Sequence, residues 1–290
     1  MHEALILCRF MHVGAVLLLF GVGLFRHLTF ADALRRFNLS AASPRLDRAM
    51  HGLTALALCS ALAWLMMTAA SMADAWSGAI EPQTLALVLL HTFFGHVWLF
   101  HVLLSGIAVV VFSRWTRSAP RALWLLNILL LLTLAPVGHG AMFDGVRGAL
   151  LIYNQMLHLL GVGAWLGGLL MLMIALGAAD RVDMRAVLTR FSGIGYGLVA
   201  LIIVTGMFNV RALSGAFWPE PAFGGFGGVL ALKVLMVVCM LLLAALNRHM
   251  ARAETLNISR LRLSVALEGM FGAAALAAVS LLGTLPPVLG

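Results

Sequence analysis

Charge is what this sequence has least of. Only 10% of its 290 residues are Asp, Glu, Lys or Arg, against roughly 25% in a soluble domain. That shortage, beside a hydrophobic share of 62%, excludes an ordinary water-soluble globule and a disordered chain. Acidic residues are scarce, and none lies in the outer half of an apolar run, which argues against a magnesium or calcium site. The 3 cysteines, at positions 8, 59 and 239, lie inside apolar runs, so no disulfide framework is implied. No P-loop sequence is present, which speaks against ATP-driven pumping by this chain. No acidic residue joins Ser and His at one outer site to orient a base, and the chain is not read as an enzyme.

What is present is apolar sequence in long runs, the pattern of an all-α, polytopic membrane protein. Eight stretches approach the ~20 residues that cross a ~30 Å hydrocarbon core. They lie near 4–28, 49–72, 84–112, 122–139, 150–178, 187–212, 227–252 and 259–285. The net charge of +8 is a topology device and does not point to nucleic acid. Arginines crowd loops 30–48, 113–121, 179–190 and 248–262, while the opposite loops hold only Arg147, with Arg211 at a helix end. The positive-inside rule then places those four loops in the cytoplasm and both termini outside, in the periplasm. The first run is not read as a signal peptide, because its basic flank follows it. His12 and Gly21 are nine residues apart, as are His158 and Gly167. This hints at two four-helix halves, 1–145 and 146–290, arranged as parallel repeats.

Ionisable side chains inside a bilayer are costly and ask for a reason. Counted at ~1.5 Å per residue, His12, His91 and His158 lie at one depth, ~10–12 Å below the outer surface. His139 and His2 lie near that surface, and Cys8, Met11, Met142 and Met156 fall in the same zone. Cys8 and His12 share a helix face, as do Asn154 and His158. Imidazole with thioether and thiol is the ligand set that selects copper, above all Cu(I). The expected metal set is therefore His12, His91, His139, His158, Cys8, Met11, Met142, Met156 and His2. Packing is the competing reading for each residue. His91, His96 and His101 cannot share one metal, since each is turned ~140° from the last. His96 or His101 is expected to bond a neighbouring helix. Arg9 and Lys233 either snorkel or face a path through the bundle together with Asn154. Glu268 is expected to pair with a group such as Arg248, or else to serve a cation relay.

Several short motifs occur together in order: Arg9 with His12, Gly138-His139-Gly140-Ala141, His158 followed by Gly163-Ala164-Trp165-Leu166-Gly167-Gly168, then Thr205-Gly206 with Asn209, Leu232-Lys233, Asn247-Arg248, Glu268 and Leu285-Pro286-Pro287. On these, essentially the whole chain resembles the CopD family of copper-resistance inner-membrane proteins, with its PcoD-like and YebZ-like members. The resemblance implies an eight-helix, multi-pass protein of the bacterial inner membrane. It would handle copper, by usual proposal importing it, beside a separate CopC-type periplasmic copper-binding protein. The alternative is a redox protein that holds haem b between the same intramembrane histidines, with His27, His51 and His101 serving a second haem.

Overall fold

The computed structural model describes residues 1–40, 42–115, 120–138, 143–219, 225–253 and 256–283. Among these the secondary structure is helical throughout. The helices are α1 (His2–Leu24), α2 (Arg35–Asn38), α3 (Ser43–Met72), α4 (Pro82–His91), α5 (Phe93–Trp115), α6 (Pro120–Leu132), α7 (Gly145–Gly177), α8 (Met184–Ser214), α9 (Gly225–Ala251) and α10 (Ile258–Leu282). The all-α membrane architecture is as the hydropathy implies, since backbone polar groups in lipid must be satisfied within the segment.

Among the described residues seven helices are long and apolar enough to cross a membrane, and two shorter apolar helices accompany them. The expected third span, 84–112, is broken at Thr92, whose backbone is extended at φ −118° and ψ 148°. Thr92 accepts from the Gly95 amide at 2.9 Å and so caps α5, while its hydroxyl donates to the Val88 carbonyl at 2.6 Å. Gly95 completes the break, because a Cβ there would run into the backbone at Val88 and Leu89. The expected fourth span is short. With the 3-10 turn Ala135–Val137, α6 reaches ~27 Å at 1.5 Å per residue, just under the hydrocarbon thickness.

α1 stands at the centre and packs on α3, α6, α7 and α10. Its buried Leu17, Leu19 and Phe20 join Leu131 of α6 and Leu172 of α7 in one core. Two glycines set the closest approach. A Cβ on Gly21 would meet the backbone of Gly163 and Gly167, and one on Gly167 would meet the backbone of Gly21 and Val22. Such small-residue contacts let membrane helices pack without a hydrophobic drive. At the other end of α1, the buried Arg26 donates to Asp47 at 2.6 Å, Ser43 at 2.9 Å and Asn38 at 3.3 Å. This network ties α1 to α2 and to the start of α3. α8 and α9 turn large apolar side chains outward, among them Val204, Phe208, Val238 and Leu242, as lipid-facing helices do.

Candidate functional site

α1 directs His12 into the first part of the bundle, where it is fully buried. Its Nδ1 lies 3.0 Å from Ser60 Oγ and 3.1 Å from the Ala57 carbonyl. The Ser60 hydroxyl is already spent on the Leu56 carbonyl at 2.6 Å. Nδ1 is therefore the donor, which leaves Nε2 as a bare lone pair. His101 on α5 repeats the device. Its Nδ1 sits 2.6 Å from Thr133 Oγ1, whose own proton goes to the Leu130 carbonyl at 2.8 Å. Both Nε2 atoms are buried without a hydrogen-bond partner.

The two rings are neighbours, with centroids 4.9 Å apart and planes at 69°. Aromatic groups enclose them. Trp98 stacks on His101 at 4.8 Å and lies 5.4 Å from His12, and Trp64 meets His12 edge-on at 5.7 Å. Trp98 is held in turn by its indole N–H, which donates to the Ala61 carbonyl at 2.8 Å. The result is a dry cage with two imidazole lone pairs and two indole rings. Rings packed this closely do not admit a haem macrocycle between them. Among the described residues no three His, Cys, Asp or Glu side chains converge. A four-ligand structural zinc site is therefore not assembled by the described residues. A two-coordinate d10 ion such as Cu(I) suits two nitrogens better.

The other expected ligands are not gathered there. His91 ends α4 and is exposed, so His12, His91 and His158 do not meet. The break at Thr92 resets the depth count. From Phe93, His101 is ~12 Å into its helix, close to the level of His12. Sequence reasoning assigned that level to His91; the Thr-x-x-Gly run at 92–95 was the signal for the break. Cys8 lies one turn N-terminal to His12 and donates to the Ser60 carbonyl at 3.2 Å. Met11 and His2 are exposed and Met156 is half-buried. His139 and Met142 lie outside the described residues.

His158 uses the same anchoring in a different setting. Its Nδ1 lies 2.9 Å from Thr205 Oγ1, which donates to the Leu201 carbonyl at 2.5 Å. Asn154, one turn away, donates to the Thr205 carbonyl and to Asn209, both at 2.9 Å. His158 borders a cavity of about 270 Å³ between α7, α8, α9, α10 and Arg9, Val13 and Leu17 of α1. Arg9 and Lys233 line the same cavity, so both face the interior. Arg9 donates to the Gly283 carbonyl at 3.0 Å and lies over Trp64 at 4.9 Å from the ring centre. A metal cation ~6 Å from either charge, at an effective dielectric of ~20, is repelled by ~3 kcal/mol. The cavity is thus a poor place for a bare metal ion.

Glu268 is fully buried, and its partner is Asn247, whose amide donates to it at 2.8 Å. The expected partner Arg248 instead donates to the Ser192 carbonyl at 2.9 Å and lies 4.1 Å over Tyr196. One residue along a helix is a turn of ~100°, enough to point Arg248 at α8 while Asn247 faces α10.

Residues 1–149 match the family described as copper resistance protein D-like, N-terminal domain, and residues 185–282 match copper resistance protein D. The inner membrane protein YebZ of Escherichia coli (strain K12) is 28% identical over 287 residues, covering 96% of this chain and 97% of that protein. Copper resistance protein D of Pseudomonas syringae pv. tomato is 29% identical over 308 residues, covering 96% and 95%. No solved structure matches the chain. The chain belongs to the copper resistance protein D family of multi-pass inner-membrane proteins, and its role lies in copper handling at the membrane.

Proposed function

We propose that this family member carries copper, as Cu(I), across the inner membrane toward the cytoplasm, and that His12 and His101 are the intramembrane ligands. The observation that carries this reading is the pair of buried, partnerless Nε2 atoms on rings 4.9 Å apart. A metal ~2 Å from each nitrogen would satisfy both. Each ring is pre-oriented through Nδ1, as metal-binding histidines are. Unpaired polar atoms in a dry core are costly, and a soft cation removes that cost. In this reading both termini face the periplasm, and copper enters from that side, supplied by a CopC-type protein. The two halves, 1–145 and 146–290, are read as repeats of which only the first holds the metal; the close approach of Gly21 and Gly167 supports that reading.

The test is Cu(I) titration of the purified protein against a chromophoric chelator, with X-ray absorption on the loaded sample. One Cu(I) with two nitrogen neighbours is expected. His12→Ala and His101→Ala should each abolish it, while His91→Ala and His158→Ala should retain it. Undiminished Cu(I) binding in both His12→Ala and His101→Ala refutes the assignment.

A further inference from the structure

The cavity beside His158 has a chemistry the copper reading does not use. Its walls are mostly Leu, Ile and Val, yet two basic side chains, Arg9 and Lys233, reach it. Among the described residues no carboxylate lines it and neither cation forms an ion pair. Lys233 and His158 both line it. From His158 to Trp165 on α7, and from Lys233 to Met240 on α9, the lining side chains are apolar. From Leu151 to Leu166 the cavity follows α7 for ~22 Å. Its volume of about 270 Å³ lies just under the ~300–1,000 Å³ typical of small-molecule pockets, which suits one acyl chain and not two. Ile203 of α8 lines the cavity and is also 40% exposed, so a single side chain separates the cavity from the lipid-facing side of α8.

We propose that this cavity binds a single-chain amphipathic anion, with a carboxylate or phosphate head at Lys233 and Arg9 and its acyl chain running toward Trp165. Two unpaired cations in an apolar wall are stabilised by an anion and destabilised by a metal ion. Charge-assisted hydrogen bonds from Lys and Arg are the strong ones. The apolar depth accepts the tail without desolvating any further polar group. The inference stands apart from the copper site, since neither Lys233 nor His158 belongs to the His12–His101 cage.

Native mass spectrometry of the full chain, released from neutral detergent, tests this with oleate and uncharged monoolein as probes. Oleate should bind at one equivalent, about tenfold or more tighter than monoolein. Lys233→Gln should erase the preference and Lys233→Arg should keep it. Gly206→Leu is the steric variant. A Cβ at Gly206 meets only the His158 ring, at 3.5 Å, so the larger side chain is accommodated by entering the cavity, and it should block both probes. Lipid extracted from the purified wild type distinguishes the sources: a free fatty acid, or a phospholipid with one chain inserted. Equal binding of oleate and monoolein, retention of an uncharged quinone instead, no binding at all, or oleate binding unaltered in Lys233→Gln would each overturn the proposal.

Discussion

Substituting Gly167 with Ala is a sharp test of how the bundle is centred. The new Cβ would lie 2.6 Å from Val22 N and nearer still to Gly21 Cα, where ordinary contact begins at 3.4 Å. The obstacle is backbone on a second helix, so no rotamer change relieves it. α1 and α7 must part by roughly 1 Å, and a gap of that size forfeits about a quarter to a half of each neighbouring contact. Overpacking costs about 1–3 kcal/mol in general, and a backbone obstacle belongs at the upper end, ~3 kcal/mol. Alanine returns ~1 kcal/mol of helix propensity over glycine. The net loss of ~2 kcal/mol converts to a fall in Tm of ~4–8 °C by the scaling for domains of 150–250 residues. Heating in detergent, followed by tryptophan fluorescence or size exclusion, reads this directly. Gly269→Ala is the control, since nothing lies within 4 Å of its Cβ position; it should melt at or above wild type. If Gly167→Ala melts with that control, α1 and α7 do not approach as closely as Gly21 and Gly167 require.

Other outcomes follow from single contacts. Arg26→Met should cost ~1–3 kcal/mol in thermal unfolding, because it removes the hydrogen bonds of the buried guanidinium to the half-buried Asp47, to Ser43 and to Asn38; an unaltered Tm would mean solvent already compensates that carboxylate. Asn247→Ala should destabilise by ~1–3 kcal/mol by removing the donor to Glu268, whereas Glu268→Gln keeps an acceptor for the Asn247 amide and should melt within ~1 kcal/mol of wild type. The reverse order would show that the charge matters and the hydrogen bond does not. Thr133→Val removes the anchor of His101 Nδ1 and should weaken Cu(I) binding ~10–100-fold while the protein stays folded; unweakened binding would detach His101 from the metal.

The membrane class was legible because lipid leaves few alternatives: long apolar runs must be helices. His12 and His158 were legible for the same reason, since each stands out against an apolar helix. Their anchoring was not. Ser60, Thr133 and Thr205 lie 48, 32 and 47 residues from the histidines they orient, and no periodicity reports which helices touch. His91 was preferred to His101 on one arithmetic step, the depth counted from residue 84. A capping threonine and a glycine moved the helix start to Phe93 and changed which histidine lies beside His12. Arg9 and Lys233 were each legible as either snorkelling or inward-facing, and only packing placed both on one cavity wall.

The same imidazole device thus serves two different surroundings. Around His12, the rings of Trp64, Trp98 and His101 fill the space. Around His158 the equivalent space is hollow, bordered by the basic side chains of Arg9 and Lys233. Arg9 belongs to both, lying over Trp64 of the cage while lining the cavity. A change at Arg9 therefore disturbs both sites at once, and a loss of copper binding there would not tell a lost ligand from a displaced cage wall. His101 belongs to the cage alone and Lys233 to the cavity alone. Variants at those two positions separate a metal defect from an amphiphile defect, and an effect of Lys233→Gln on Cu(I) binding would measure the coupling that Arg9 transmits between them.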